Sequence, residues 1–375
     1  MTLSARWESL LTALKNQGRY RELRACAGID FASNDYLGYC GRRGKQDQLV
    51  PDDRLGRSGA ASRLLRGHHP IWDEVELRLA RWHGSESALL LNSGYVANEG
   101  LLSTIIQPGD WAASDQLNHA SIIDGLRLSN AEKFIFRHQD LNQLEEGLRA
   151  AAKNRQPTRE LFVVTESLFG MDGDRTPLEA IVQLAERYDA HLIVDEAHST
   201  GCFGATGSGC IDEARVRQRV LATVHTGGKA LGTVGAYVCG STRLRELLIN
   251  RCRHFIYTTA LPPALGAWWL DALDRVQADS EGRTRLHENA AWFRGELHRR
   301  GVAVPPGEYI VPIILGDDSR AILAAEQLQR RGWDVRAIRP PSVPPGTARL
   351  RISIHADHDR ETLSALASAI SELMR

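Results

Sequence analysis

The chain has 375 residues, 43% of them hydrophobic, and its 46 Lys and Arg residues balance 46 Asp and Glu residues, so the formal net charge is zero. This length and composition predict a globular protein of two to three domains. The balanced charge argues against a nucleic acid as the main partner, since nucleic-acid binding usually leaves a basic footprint. We also expect no membrane association and a cytoplasmic protein. No run approaches the roughly 20 apolar residues of a spanning helix, and the charged N-terminal segment lacks the apolar core of a signal peptide.

Hydrophobic periodicity divides the chain into three parts. Near the start, Leu10, Leu11 and Leu14 recur at helical spacing and predict an amphipathic helix packed on another element. From Ser87 onward, short apolar runs alternate with longer amphipathic stretches, which is typical of an α/β domain with a largely parallel sheet. After about Gln277 the pattern predicts a smaller α+β domain. The expected parts are an N-terminal segment at 1–34, a large domain at 35–276 and a small domain at 277–375. The predicted strands are 88–91, 111–114, 133–136, 161–165, 191–194, 221–224 and 236–239 in the large domain, and 309–315, 335–338 and 348–354 in the small one.

The cysteines have no metal-site spacing. No two are separated by only two residues, as a zinc site or a redox pair would require. We interpret them as small buried hydrophobic residues, and we expect no metal. They are Cys26, Cys40, Cys202, Cys210, Cys239 and Cys252.

Polar residues follow the predicted strands at the edge where ligands bind in open parallel sheets. Asp195 directly follows an apolar run, and His198 comes three residues later, in Asp-Glu-Ala-His. The simplest interpretation is an aspartate that caps the next turn. The same four letters occur in nucleic-acid helicases, which also need a G-x-x-x-x-G-K-[ST] loop. Ala230 follows Lys229 here, and Thr223 stands at the first glycine position, so the sequence argues against a helicase.

Lys229 follows the next predicted strand, in Thr-Gly-Gly-Lys. A surface lysine on a glycine-rich loop is the simplest interpretation. Lys229 and Asp195, however, both follow strands of one sheet and can face one cleft. Pyridoxal phosphate requires such a pair, because a lysine holds its aldehyde and a carboxylate keeps its pyridine nitrogen protonated.

Two further turns can complete a cofactor site. Gly94 and Tyr95 lie between a strand and a helix, where backbone N–H groups and the helix dipole favour an anion such as the cofactor phosphate. Such turns also carry Ser-Gly for turn geometry alone. His119 follows another short strand, and its imidazole can stack on a pyridine ring if it shares the cleft, although a lone histidine is more often structural.

These motifs together resemble the α-oxoamine synthase family of fold-type-I pyridoxal phosphate enzymes over nearly the whole chain. The resemblance implies a mostly parallel seven-stranded sheet in the large domain and a homodimer in which both subunits contribute to each active site. The motifs, in family order, are Ser33-Asn34-Asp35-Tyr36-Leu37-Gly38, Ser93-Gly94-Tyr95-Val96-Ala97-Asn98, Asn118-His119-Ala120-Ser121, Met171-Asp172-Gly173-Asp174, Asp195-Glu196-Ala197-His198 and Thr226-Gly227-Gly228-Lys229.

The resemblance implies a role for each matching residue. Lys229 would bind the cofactor aldehyde and later move the proton at the substrate Cα. Asp195 would pair with the pyridine nitrogen, His198 with the phenolic oxygen, and His119 would stack on the ring. The residues expected at the phosphate are Gly94, Tyr95 and Thr226, with Thr258 and Thr259 reaching it from the second subunit.

The resemblance also implies a substrate path. Arg351 would bind the amino-acid carboxylate. Arg349 shares its strand face, because residues two apart point the same way, and only the resemblance selects Arg351. The residues expected along the path are Asn34, Ser342 and Arg24.

Residues 338–351 most resemble family members that join L-alanine to a pimeloyl thioester in biotin synthesis, with coenzyme A or an acyl carrier protein as the carrier. A sibling enzyme that uses glycine or serine with another acyl group remains an alternative. A non-catalytic scaffold also remains an alternative, although a scaffold has no reason to retain Lys229, Asp195 and both histidines.

Two positions depart from the family: Gly170 stands where a serine is common, and Trp72 stands where many members have a histidine. The first removes a hydrogen bond to the cofactor, and the second would reshape the acyl-donor entrance.

Overall fold

The computed structural model describes residues 1–23, 25–40 and 55–374. Within these ranges, no helix is both long enough and apolar enough to cross a membrane. The helices are α1 (Leu3–Asn16), α2 (Pro70–Trp82), α3 (Gly94–Ile105), α4 (Ala120–Ser129), α5 (Leu141–Lys153), α6 (Leu178–Arg187), α7 (Cys210–Glu213), α8 (Thr242–Arg251), α9 (Arg253–Ile256), α10 (Leu265–Ala278), α11 (Ser280–Arg299), α12 (Asp318–Arg330) and α13 (Arg360–Leu373). The strands are β1 (Ile29–Asp30), β2 (Ser87–Leu91), β3 (Trp111–Asp115), β4 (Glu132–Phe136), β5 (Leu161–Glu166), β6 (His191–Asp195), β7 (Ala222–Thr226), β8 (Ala236–Gly240), β9 (Ile310–Gly316), β10 (Trp333–Asp334), β11 (Arg336–Ile338) and β12 (Ala348–Ser353).

The larger of two compact units comprises Leu37–Gly170 and Arg175–Arg283. It contains a seven-stranded sheet in the order β2-β8-β7-β6-β5-β3-β4. β8 is antiparallel to both of its neighbours, and the other strand pairs are parallel. Every residue of β5 and β7 is buried, as expected for parallel strands covered on both faces. The α/β fold with a mostly parallel seven-stranded sheet is therefore confirmed.

Helix starts in this unit follow from local hydrogen bonding. Ser93 caps α3, because its side chain accepts the backbone N–H of Val96. His119 caps α4 in the same way through the N–H of Ser121. Apolar side chains of α3 and α4 pack with the sheet in one core, which includes Leu101, Ile122 and Val164. Both helices therefore begin at the carboxyl edge of the sheet with their first turns fixed.

The smaller unit comprises Met1–Tyr36, Met171–Asp174 and Thr284–Arg375. Its main sheet is antiparallel, in the order β11-β12-β9, and β1 pairs with β10 in a separate parallel ribbon. α1 forms in the segment where the sequence predicts a helix. Its Leu10, Leu11 and Leu14 are nevertheless exposed in this chain, so the expected packing on another element is not observed among the described residues.

The cysteines divide into two groups. Cys202, Cys210, Cys239 and Cys252 are buried free thiols, in agreement with the sequence interpretation. Cys26 and Cys40 are exposed, so that interpretation is wrong for these two.

Candidate active site

Two carboxylates lie side by side at the carboxyl edge of the large sheet. Glu166 ends β5 and Asp195 ends β6, and the two are register partners. Both residues are buried. Burial and the charge of Asp195 raise the pKa of Glu166 to about 8, and the charge of Lys229 acts in the opposite direction. Acidic groups are therefore concentrated where ligands bind in open α/β sheets.

Lys229 and His198 face each other. The Nζ of Lys229 lies 2.8 Å from the Nε2 of His198, which is itself buried. The turn that carries the lysine is tightly packed, because a Cβ at Gly227 would lie within 2.6–2.7 Å of Trp269 and Thr233. This turn begins directly after β7. The sheet and the turn together place an amine next to an imidazole, an arrangement suited to proton transfer.

Asp195 is held by donors on two sides. Its Oδ1 accepts the backbone N–H of Ala197 at 2.7 Å, and its Oδ2 accepts the side-chain amide of Asn98 at 2.6 Å. Asn98 is buried in α3 and also donates to Ser121. Hydrogen bonds to a carboxylate favour its charged form. The structure thus adds Asn98 to the residues predicted from the sequence, at a position within the quoted Ser93–Asn98 motif.

His119 lies on the same edge. Its backbone N–H donates to Oε1 of Glu166 at 2.7 Å, and its Nδ1 lies 2.8 Å from the Oγ of Ser121. Partial burial lowers the pKa of the imidazole, and Lys229 adds to this effect while Asp195 opposes it. The residue keeps an exposed surface. Glu166, which the sequence interpretation left without a role, therefore fixes the backbone of a predicted site residue. Its position directly after an apolar run, like that of Asp195, is the sequence signal that could have found it.

Gly94, Tyr95 and Thr226 meet at the start of α3. Among the described residues, the only atoms within 4 Å of a Cβ built on Gly94 belong to Thr226, at 3.8 and 3.9 Å, so no tight contact fills the space beside the first turn. The Tyr95 side chain is 40% exposed, and its hydroxyl bonds to Asp124. The hydroxyl of Thr226 donates to Gly235 O at 3.2 Å. The N-terminal N–H groups of α3 can thus receive an anion.

Thr258 and Thr259 lie beside Asn92 of the same chain. The amide of Asn92 donates to Thr259 O at 3.0 Å and to the Oγ1 of Thr258 at 3.4 Å. Asn92 immediately follows β2. That these threonines reach the phosphate of a second subunit stays a prediction.

The two positions that depart from the family differ in their surroundings. A Cβ on Gly170 would overlap the imidazole of His198, so the histidine ring occupies the space that a side chain would need. Trp72 lies in α2 and is 1% exposed. It also lines a small cavity together with Asn92 and Thr258, and its effect on an acyl-donor entrance stays a prediction.

In the smaller unit, the two arginines of β12 have different partners. Arg349 forms an ion pair with Asp172. Arg351 donates to neutral oxygens, namely Asn34 Oδ1 at 2.8 Å, Ser353 Oγ at 2.8 Å and Tyr36 Oη at 3.3 Å. Both arginines are buried. The structure therefore brings Asn34 and Arg351 together and pairs Arg349 with the carboxylate of Asp172.

Ser342 lies at a basic cleft of the smaller unit. Its hydroxyl accepts a hydrogen bond from Arg21 at 3.4 Å. The cleft has a volume of about 220 Å³ and is also lined by Arg19 and Arg339. Arg24, which the sequence predicts on the substrate path, lies outside the described residues. Arg21, three residues earlier and not among the predicted site residues, is the arginine that the structure places against Ser342.

A separate buried cluster lies beneath the site. The ligand atoms of His83, His225 and Cys239 lie within 4.8 Å of one another. His83 bonds to Tyr237 Oη at 2.8 Å and to the backbone of Ser208, and both ring nitrogens of His225 bond to threonine hydroxyls. The four ring nitrogens are thus engaged in hydrogen bonds, so we interpret the cluster as part of the core.

Comparison with known proteins gives the family. The chain belongs to the aminotransferase class I and II family, whose model matches residues 27–370. It is similar to the 8-amino-7-oxononanoate synthase of Anaeromyxobacter dehalogenans, with 42% identity over 96% of this chain and 89% of that protein. It is also similar to the 8-amino-7-oxononanoate synthase of Chlorobaculum parvum, with 40% identity over 98% of this chain and 95% of that protein.

Solved structures give the same fold. A serine palmitoyltransferase from S. paucimobilis superposes with a TM-score of 0.89 at 27% identity and covers 100% of this chain and 98% of its own. An 8-amino-7-oxononanoate synthase from Francisella tularensis superposes with a TM-score of 0.79 at 29% identity and covers 92% of this chain and 98% of its own. The α-oxoamine synthase resemblance and the fold-type-I architecture are therefore confirmed.

Proposed function

We propose that this chain is an 8-amino-7-oxononanoate synthase, a pyridoxal-phosphate-dependent acyltransferase of biotin synthesis. It would condense L-alanine with a pimeloyl thioester, with release of carbon dioxide and the free thiol. The observation that carries the proposal is the pairing of Lys229 with His198, 2.8 Å apart, at the sheet edge where Asp195 ends β6. The relatives named 8-amino-7-oxononanoate synthase, at about 40% identity over nearly the whole chain, support the particular activity.

The residues at this edge fit pyridoxal phosphate. An amine, a hydrogen-bonded carboxylate and an open helix start are the three groups that its aldehyde, ring nitrogen and phosphate require. Lys229 supplies the first, Asp195 the second and Gly94, next to Thr226, the third. When bound, the cofactor supplies an electron sink for the negative charge that forms at the amino-acid Cα.

The side chains of this chain then have separate tasks. Lys229 removes and returns the proton at Cα, and His198 hydrogen-bonds the phenolic oxygen of the cofactor. Asp195, positioned by hydrogen bonds from Asn98 and Ala197, would pair with the ring nitrogen and keep it protonated. His119, which keeps an exposed surface, would stack on the ring of the cofactor.

Arg351 is the arginine that we assign to the alanine carboxylate. The charge of Arg349 is already matched by Asp172, whereas Arg351 donates to the neutral oxygens of Asn34, Ser353 and Tyr36. The assignment follows the family resemblance, and the planar guanidinium of an arginine offers the paired N–H donors that bind a carboxylate bidentately. The basic cleft at Ser342 and Arg21 would receive the anionic part of the acyl donor.

Assembly and location complete the proposal. We propose a cytoplasmic homodimer in which Thr258 and Thr259 of one subunit contact the cofactor phosphate of the other. Mixing an inactive Lys229→Ala chain with an inactive Thr258→Ala, Thr259→Ala chain should then restore part of the activity. A fully active monomer would contradict this assembly.

The cofactor attachment is tested by borohydride reduction. Hydride converts a carbon–nitrogen double bond into a stable amine, so peptide mapping should recover the cofactor covalently bound to Lys229. The Lys229→Ala variant should carry no label. A label on a different lysine would overturn the assignment.

The substrates are tested by competition. Alanine with pimeloyl-coenzyme A or pimeloyl-acyl carrier protein should exceed serine with palmitoyl-coenzyme A, and glycine with acetyl- or succinyl-coenzyme A, in kcat/KM. Neighbouring acyl chain lengths should react more slowly, because one methylene changes discrimination by only about 1–3 kcal/mol. An order led by a serine or glycine pair would assign the chain to a sibling activity.

A further inference from the structure

Asn98 connects the two sides of the candidate site through one amide group. Its Nδ2 donates to Asp195 Oδ2 at 2.6 Å and to Ser121 Oγ at 3.0 Å. The three side chains are buried, with 3%, 6% and 0% exposure for Asn98, Asp195 and Ser121. Ser121 lies in the first turn of α4, directly after His119 and Ala120. A continuous set of buried hydrogen bonds therefore runs from Asp195 to the residue beside His119.

The chemistry of the donors fixes the direction of each hydrogen bond. A carboxylate can only accept, so the NH₂ side of the Asn98 amide must face Asp195. Both amide hydrogens are then used, one on Asp195 and one on Ser121. The Oγ of Ser121 is thus an acceptor toward Asn98, and its own hydrogen is available for the Nδ1 of His119, 2.8 Å away.

A second donor reaches the same nitrogen of His119. The backbone N–H of Ser121 points at Nδ1 from 3.2 Å. A nitrogen that accepts two hydrogen bonds carries no proton. In the neutral ring the proton must then be on Nε2.

We propose that Asn98 and Ser121 are positioning residues that link Asp195 to His119 and hold His119 as the neutral tautomer protonated on Nε2. Their role in the reaction rests on the proposed function, whereas the tautomer is a property of the folded chain alone. The consequence is that His119 offers a single N–H donor, from Nε2, on the side of the ring away from α4. Among the described residues, the charged and titratable groups around it are Asp195, Lys229, Glu166 and Tyr95, whose ring centroid lies 6.1 Å away, and the lowered pKa of His119 agrees with a neutral ring.

The tautomer can be measured without cofactor or substrate. Nitrogen-15 NMR of the full chain labelled at its 13 histidines distinguishes a protonated ring nitrogen from an accepting one. The His119 signals are identified by their loss in a His119→Gln variant. In the parent chain at neutral pH we expect Nδ1 to be unprotonated and Nε2 to be protonated.

The Ser121→Ala variant tests the link to His119. It removes the hydroxyl donor and leaves the backbone N–H, so the Nδ1 signal should shift and the Nδ1-protonated form should increase. Ser129→Ala is the matched control, because Ser129 is a buried serine of the same helix whose hydroxyl bonds to Leu126 O. It should leave the His119 signals unchanged. A parent ring protonated on Nδ1, or a Ser121→Ala spectrum identical to the parent, would overturn the proposal.

The Asn98→Ala variant tests the link to Asp195. It also provides a second test of the proposal if the Ser121→Ala variant does not fold. Loss of the amide removes one of the hydrogen bonds that hold the Asp195 carboxylate in place, so the absorption band of the bound cofactor should shift relative to the parent. An unshifted band in a folded, cofactor-loaded variant would contradict the role of Asn98. A parent chain that binds no pyridoxal phosphate would instead contradict the proposed function and leave the tautomer measurement valid.

Discussion

The two main sheets of this protein hold their charged residues in different ways. In the seven-stranded sheet, Glu166 and Asp195 are the last residues of their strands, and backbone N–H groups just beyond the strands, from His119 and Ala197, bind them. In the three-stranded sheet, Arg349 and Arg351 lie inside β12, where neighbouring strands already use the backbone. Their partners are therefore mainly side chains.

This difference separates two ways of building a charged site. At a strand end, turns at the same sheet edge supply backbone donors, from the turn after β6 for Asp195 and from the turn after β3 for Glu166, so the site depends on the strand register and on these short turns. Inside a strand, each buried charge needs a partner from distant sequence, such as Asp172 for Arg349 and Asn34 for Arg351. The edge of the large sheet is consequently the part of the site that a local sequence pattern reveals most directly.

The largest expected effect is at the strand end, with Asp195→Asn. The substitution keeps the shape and removes the charge that would hold the ring nitrogen of the cofactor protonated. We expect kcat/KM to fall about 10³-fold, equivalent to about 4 kcal/mol in the barrier. Steady-state kinetics on variant protein loaded with cofactor measures the loss. A rate close to that of the parent would remove Asp195 from this role.

The fold could be predicted largely because the central strands are continuous apolar runs. β5 and β6 each begin where expected and extend one residue beyond the predicted runs 161–165 and 191–194. β7 extends two residues beyond the predicted 221–224, through His225 and Thr226. These two residues are polar but buried, because hydrogen bonds to Thr200, Thr223 and Gly235 satisfy them. An apolar run cannot predict such a strand end.

The site could be predicted only in part for a related reason. Asp195, Lys229 and His119 follow apolar runs and share motifs with a known family. Asn98 is 97 residues away from its partner Asp195, and the link exists only after α3 packs on the sheet. The roles of the predicted site residues in binding and catalysis stay predictions until variants are measured.

The next effect compares the two arginines of β12. Arg351→Lys replaces the planar fork with a single ammonium, so KM for alanine should rise about tenfold or more, with a smaller change in kcat. Arg349→Lys should leave KM for alanine near the parent value. It should lower the melting temperature instead, because the pair with Asp172 is weakened. Equal effects of the two substitutions on KM would contradict the assignment of the carboxylate to Arg351.

A smaller effect is expected from Gly170→Ala in the larger unit. The new methyl group would overlap the imidazole of His198 and displace it from Lys229. We expect kcat to fall about tenfold, within the usual contribution of a positioned acid–base group, and the absorption band of the bound cofactor to change. Gly295→Ala is the control, since no atom of the described residues outside its own helix backbone lies within 4 Å of its added Cβ. A Gly170→Ala enzyme with parental kcat and absorption would show that the position of the His198 ring does not depend on the space left by Gly170.

The smallest effect concerns stability at the strand ends and is tested with Glu166→Gln. The folded chain raises the pKa of Glu166 to about 8, mainly by burial and then by the charge of Asp195, so the folded state favours the protonated carboxyl. Its contribution to stability is complete below the ordinary pKa of a glutamate and is lost as the pH rises through about 8. The parent chain should therefore lose unfolding free energy between pH 5 and 8, on the order of 3 kcal/mol more than Glu166→Gln. Urea unfolding at several pH values measures how the unfolding free energy of the parent and of the variant changes with pH.

Some pH dependence of the unfolding free energy should persist in the variant, because burial also raises the pKa of Glu196 to about 7. Parallel curves for the parent and Glu166→Gln would mean that Glu166 is charged in the folded chain throughout this range, and that the turn donors at the end of β5 outweigh its burial.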